Sequence, residues 1–248
     1  MTVSLPRDSV QHVLLDIEGT VADVRFVYNI MFPFAKRHMK EFLLHHWNEP
    51  ATQEAMAQVA ADAGLDSRSW LPNHSSDFER TAEKVDTHLQ ALMASDSKAT
   101  GLKQLQGLVW QDGFHRGELR AELFPDVLPA LQAWKQLGLG LSIYSSGSVL
   151  AQKLFFGHTT QGDVSPLLSH YFDTQMGKKQ DPESYSRIAE EMGIAPGAIL
   201  FLSDVAAELD AAIAAGMLAV ATIRDGNKPL DTTFTGASVC SFDEIAWS

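Results

Sequence analysis

From Glu122 onward, short apolar runs alternate with amphipathic stretches, and this alternation constrains the fold more than any other feature of the chain. Three runs carry it: Leu139-Gly140-Leu141-Ser142-Ile143-Tyr144, Ile199-Leu200-Phe201-Leu202 and Leu218-Ala219-Val220-Ala221-Thr222. Each has strand length and is nearly continuous, as expected of strands buried on both faces. The stretches between them read as helices. Val127, Leu131, Trp134 and Leu137 recur at helical spacing after Phe124-Pro125-Asp126, and Gly138 stops the pattern. Further helices are predicted from Ser148 to Phe156, from near Asp181-Pro182-Glu183, and from Val205 to Ala215. Alternation of this kind predicts an α/β fold, a doubly wound parallel sheet with right-handed crossovers. Val13-Leu14-Leu15 supplies another buried strand near the N-terminus. Ala237-Ser238-Val239-Cys240 reads as a last strand, with Cys240 as small core filler.

Residues 26–117 break the alternation. Phe34, His38, Phe42 and Leu43 share one helical face in a helix from Ala35 to Trp47. Pro50 to Ala63 is rich in Ala and Gln and stops at Gly64, and two more helices are predicted over Asp77–Met93 and Lys98–Gly113. No strand is expected in this block. His45-His46 reads as a solvated helix face rather than a metal site. The division that follows is an α/β core of residues 1–25 and 118–248, with residues 26–117 as an inserted helical cap.

A chain of 248 residues fits one large domain or a domain with an insertion. The formal net charge of −12 argues against nucleic acid and anionic membrane as partners, since both need basic surfaces. A phosphorylated small molecule is compatible, provided positive charge is concentrated locally. The single cysteine, Cys240, leaves no internal disulfide and no cysteine metal cluster. Pro6, Arg7 and Asp8 do not resemble the apolar centre of a signal peptide, and no run reaches the roughly 18 apolar residues of a membrane span. The expectation is a reduced, cytoplasmic protein. No heptad pattern or long apolar edge points to a dimer, so a monomer is expected.

The chemistry gathers at strand ends, where open α/β sheets bind ligands. The first strand runs into Asp16-Ile17-Glu18-Gly19-Thr20. Two close carboxylates repel unless a cation lies between them. Mg²⁺ together with a substrate phosphate would satisfy both, and a carboxylate can also be a nucleophile toward phosphorus. The second strand ends in Ser145-Ser146-Gly147-Ser148 before a helix. Ser148 fits the helix cap, leaving Ser145 or Ser146 for phosphate. Gly177-Lys178-Lys179 precedes the next helix, and one of the two lysines would neutralise both phosphate and Asp16. The third strand ends in Ser203-Asp204, where Asp204 would complete the Mg²⁺ site. Glu208 lies one helical turn on, readable either as support for that site or as a solvated helix residue.

In order, Asp16-Ile17-Glu18-Gly19-Thr20, the serine after the second strand, Lys179 and Ser203-Asp204 resemble the four motifs of haloacid-dehalogenase-type phosphatases. The usual motif has Asp where this chain has Glu18. That exchange, followed by Phe26-Val27 and Met31-Phe32-Pro33, resembles the enolase-phosphatases of methionine salvage, also called acireductone synthases. Phe124-Pro125-Asp126-Val127, Tyr144-Ser145-Ser146-Gly147-Ser148, Ala151-Gln152-Lys153-Leu154, Phe156-Gly157-His158 and Glu183-Ser184-Tyr185 extend the likeness along essentially the whole chain. Val21-Ala22-Asp23-Val24 departs from the expected Thr-rich stretch, and Lys178 from another residue type, both away from the chemical positions.

The resemblance implies a haloacid-dehalogenase-like core with a cap and one Mg²⁺ per chain. It implies enolisation of 2,3-diketo-5-methylthiopentyl 1-phosphate, then hydrolysis to 1,2-dihydroxy-3-keto-5-methylthiopentene and phosphate. It assigns Asp16 as nucleophile, Asp16, Glu18 and Asp204 as metal ligands, and Lys179 with Ser145 or Ser146 as phosphate holders. Catalytic roles fall to Asp16, Glu18 and Lys179. The enolisation base is left between Glu18 and residues of the cap. A plain phosphatase without the enolase step is the alternative. A halide-displacing enzyme would not need Asp204 beside Glu18, and a retired scaffold would have lost Asp16, Lys179 or Asp204.

Overall fold

The central strand of the sheet, β2 (His12–Leu15), is buried along its whole length, as its apolar run Val13-Leu14-Leu15 requires. A computed structural model describes residues 2–66, 78–95, 97–231 and 234–248 of the chain. Its six-stranded parallel sheet has the order β4-β3-β2-β5-β6-β7. The other strands are β3 (Gly140–Tyr144), β4 (His170–Phe172), β5 (Ile199–Ser203), β6 (Leu218–Thr222) and β7 (Ser238–Val239). Two short outer strands, β1 (Val3–Leu5) and β8 (Ile245–Trp247), pair in parallel apart from it. The chain first winds from β2 outward to β3 and β4, then returns to β5 on the other side of β2 and winds outward to β6 and β7. The strand order therefore reverses at β2 and β5, the kind of place where open α/β sheets form a ligand crevice.

The chain separates into two compact units, Met1–Val27 with Arg120–Ser248, and Tyr28–Leu119. The second is helical, with α1 (Phe32–His46), α2 (Pro50–Asp62), α3 (Phe78–Ala94) and α4 (Thr100–His115). Met39, Leu43, Met56, Val59, Val85, Leu89, Leu105 and Phe114 make its interior. Asp77, placed in the third helix by the sequence pattern, lies outside the described residues. A π-helical turn, Val27–Met31, leads into α1, and the Trp110 indole donates to the Met31 carbonyl at 2.8 Å. In the α/β unit the crossover helices are α5 (Val127–Gln136), α6 (Val149–Gly157), α7 (Pro182–Met192) and α8 (Ala206–Ala214). Ser148 caps α6 through the Ala151 amide, and Asp181 caps α7 with Pro182 in its first turn.

Cys240 corrects one expectation. It is exposed, not core filler, because β7 stops at Val239. Its carbonyl accepts from the Arg224 guanidinium at 2.9 Å, and its amide donates to Glu244 at 2.6 Å. Leu137 is likewise outside the core, 43% exposed just beyond the end of α5.

Candidate active site

Strand register brings the predicted groups to one sheet edge. Leu15 at the end of β2 pairs with Ile143 on one side and Leu202 on the other. Asp16, Ser145 and Asp204 therefore all emerge just past the ends of three adjacent strands. Asp16 is buried, and the chain turns sharply at Gly19, whose φ of +77° strains any residue with a Cβ. A Cβ there would also stand 2.5 Å from Asp204 Oδ2, so glycine lets that carboxylate approach the loop.

Lys179 is the cation of this edge. Its Nζ donates to Asp16 Oδ1 at 2.5 Å and pairs with Glu208 at 2.6 Å, all three side chains being buried. Burial opposes the charge on Lys179, but Asp16 and Glu208 outweigh it and hold the ammonium above the ordinary lysine range. Three side-chain hydroxyls fix its loop by donating to successive carbonyls. Tyr144 donates to Gly177 at 3.1 Å, Ser184 to Lys178 at 2.8 Å and Tyr185 to Lys179 at 2.7 Å. The two tyrosine rings meet edge to face, 5.5 Å apart. This clamp sends Lys179 inward and leaves Lys178 exposed.

Ser145 is fully buried and donates to Glu18 Oε2 at 3.2 Å, while the Gly147 amide donates to Ser145 Oγ at 3.2 Å. Ser146 is exposed. Gln152 steadies this turn from below, its amide nitrogen donating to the Gly147 and Phe172 carbonyls, both at 2.8 Å. Burial, then the charge of Asp16, raises the Glu18 carboxyl above its usual range. The same two causes push Asp204 up to about 6, and burial pushes Glu208 up to about 7 in spite of Lys179.

Burial leads all three shifts and the Asp16 charge adds to each, so four carboxylates, Asp16, Glu18, Asp204 and Glu208, share one buried lysine. That is the condition a divalent cation relieves. Among the described residues, no three His, Cys, Asp or Glu side chains are gathered tightly enough to hold an ion unaided. Asp16 commits Oδ1 to Lys179, and Glu18 takes the Ser145 hydroxyl. Mg²⁺ does not need such a cage, because it keeps several waters and binds through one or two carboxylates plus substrate phosphate. The donor set, all hard oxygens in mutual repulsion, fits that ion.

Glu208 resolves the choice that the sequence left open. It is buried, pairs with Lys179 and accepts from Ser203 Oγ at 2.9 Å, so it is no solvated helix residue. Sequence reasoning missed the hydroxyls of Tyr144, Ser184 and Tyr185 and the amide of Gln152 as site-builders. An aromatic residue in an apolar run reads as core, and only the fold shows where its hydroxyl ends.

The sequence pattern of the haloacid dehalogenase-like hydrolases matches residues 10–216. The enolase-phosphatase E1 of Synechococcus elongatus is 40% identical over 237 residues, covering 96% of this chain and 98% of that protein. That of Pseudomonas aeruginosa is 43% identical over 218 residues, covering 88% of this chain and 92% of that protein. The crystal structure of the UTR4 protein of Saccharomyces cerevisiae superposes with a TM-score of 0.78 at 30% identity, covering 94% of this chain and 99% of that one. The fold, the order of the strand-end residues and these likenesses together make the chain a member of the haloacid dehalogenase-like hydrolases and, within them, of the enolase-phosphatase E1 family.

Proposed function

We propose that this chain is a bifunctional enolase-phosphatase of methionine salvage. It converts 2,3-diketo-5-methylthiopentyl 1-phosphate to 1,2-dihydroxy-3-keto-5-methylthiopentene and phosphate. The observation that carries the reading is the buried Asp16–Lys179–Glu208 triad at the end of β2, within a family named for both reactions.

The residues supply the chemistry as follows. Asp16 attacks phosphorus, the ester oxygen leaves, and the aspartyl-phosphate is then hydrolysed by water. Lys179 and the Ser145 hydroxyl hold phosphate oxygens, with Ser146 at the mouth of the same turn. Lys179 also orients Asp16, and Glu208 keeps Lys179 in place. Asp16, Glu18 and Asp204 would hold one Mg²⁺, which when bound offsets charge on the transferring group. Glu18 is longer than the usual Asp by one carbon–carbon bond, about 1.5 Å. It therefore reaches Ser145, and the base of enolisation is Glu18 or a residue of the cap. Residues 26–117 serve as the cap of a phosphatase core formed by residues 1–25 and 118–248. The protein acts as a cytoplasmic monomer without nucleic-acid or membrane partners; its net charge of −12 supports the last point.

The test uses the purified protein and the diketone phosphate, following enol absorbance and free phosphate by separate assays. Both signals are expected to rise in equal amounts, to stop in excess chelator and to return with Mg²⁺. Phosphate release from generic phosphate esters without turnover of the diketone phosphate would favour the plain phosphatase instead.

A further inference from the structure

Among the described residues, one buried oxygen beside this edge has no hydrogen-bond partner. Asn227 donates from Nδ2 to the Gly19 carbonyl at 2.9 Å, which fixes the orientation of its amide. Its Oδ1 is buried and accepts no hydrogen bond. An amide oxygen left this way costs stability unless something binds it. Gly19 locates it relative to Asp204. The point where a Cβ would sit there is 2.8 Å from Asn227 Oδ1 and 2.5 Å from Asp204 Oδ2. Two acceptor oxygens thus pack close against the same side of Gly19, beside the loop that follows Asp16 and Glu18. Neither oxygen can donate to the other. A water molecule or a hydrated cation would satisfy both.

We propose that Asn227 is a further element of the cation site, its Oδ1 accepting a hydrogen bond from a water of the ion that Asp204 binds. This rests on the Mg²⁺ assignment made above and extends it to a residue on the loop after β6. The same loop is fastened independently of Asn227. Thr222 Oγ1 contacts the Gly19 carbonyl at 3.3 Å and Thr20 Oγ1 at 3.1 Å, and Arg224 Nε donates to the Thr20 carbonyl at 3.2 Å. Removing the Asn227 side chain therefore leaves the turn anchored. Asn227 acts through water and so is a positioning residue.

The experiment is calorimetric titration of the substrate-free protein with Mg²⁺, alongside thermal melts. The proteins are wild type, Asn227→Ala, Asn227→Asp and Asp204→Ala. Residues that orient a metal's ligands typically contribute about 10–100-fold to affinity, and Asn227→Ala is expected to weaken binding by at least the lower figure while folding normally. Asn227→Asp keeps an oxygen toward the ion and loses the donor to Gly19. It is expected to bind Mg²⁺ more tightly than Asn227→Ala. Equal weakening in both variants would mean that Asn227 only clamps Gly19, and would overturn the proposal. So would wild-type affinity in Asn227→Ala together with lost affinity in Asp204→Ala, and the Mg²⁺ assignment would then stand. Undiminished affinity in Asp204→Ala would remove that assignment and this proposal with it.

Discussion

Lys179 shows how much a single position decides. Two adjacent lysines follow Gly177, and their surroundings separate them completely: Lys179 is buried between two carboxylates while Lys178 faces solvent. Lys179→Ala is expected to lower phosphate release by about 10²–10³-fold, the usual cost of losing a donor aimed at developing charge. Lys178→Ala is expected to leave turnover within about twofold, as for an exposed residue. Steady-state phosphate release by both variants checks this, and comparable losses would contradict the burial pattern. The hydroxyl clamp makes a finer prediction. Tyr185→Phe removes the donor to the Lys179 carbonyl and keeps the ring. It is expected to cost about 1–2 kcal/mol of stability, because a buried carbonyl loses its partner. It is also expected to lower kcat about tenfold or more, because catalysis is sensitive to small displacements. A denaturant melt and a kcat measurement test both halves, and a wild-type kcat would show that the clamp does not position the ammonium.

At the scale of elements, legibility followed run length. β2, β3, β5 and β6 were readable because each is a nearly continuous apolar run with a polar end, and those ends carry Asp16, Ser145 and Asp204. β1 and β8, three residues each, were not readable, since so short a segment has no period of its own and is fixed by its partner. Glu208 was half readable: its spacing from Asp204 was visible, but the lysine that meets it comes from 29 positions earlier in the chain. The start of β2 holds a polar feature that the sequence did not announce. His12 is buried, its Nε2 lies 2.8 Å from Ser142 Oγ, and that oxygen lies 3.3 Å from His170 Nδ1. Burial, then His170 and Lys135, lowers His12 to about 4. Its ordinary value is 6.5, so the folded state binds its proton later than the unfolded chain does. The stability conferred by neutral His12 is therefore complete above pH 6.5 and is lost as pH falls toward about 4. The loss is on the order of 3 kcal/mol. His12→Gln removes this titration. The stability difference between wild type and variant should shrink by that amount between pH 7.5 and 4 in urea melts. A difference that does not change with pH would mean that His12 titrates normally.

In the whole molecule, the groups assigned to phosphate chemistry all belong to the α/β unit: Asp16, Glu18, Ser145, Lys179, Asp204 and Glu208. In the proposed reading, a protein of net charge −12 would bind a phosphate by concentrating one buried ammonium and a cation-seeking set of oxygens at a single sheet edge. In this proposal, two reactions on one substrate share one site but not one requirement. Enolisation needs a base, a polarised carbonyl and exclusion of water. Hydrolysis needs, in addition, an ionised carboxylate that attacks phosphorus. Asp16→Asn replaces the proposed nucleophile with a neutral amide that keeps the shape and a hydrogen-bonding oxygen, and it also removes the charge that pairs with Lys179. The decisive measurement mixes folded, Mg²⁺-loaded Asp16→Asn protein with the diketone phosphate and follows enol absorbance and free phosphate separately. The account predicts that enol phosphate accumulates and no phosphate is released. Normal phosphate release would exclude Asp16 as the nucleophile, and absence of enol phosphate would show that Asp16 also takes part in enolisation, contradicting two separable steps at one edge.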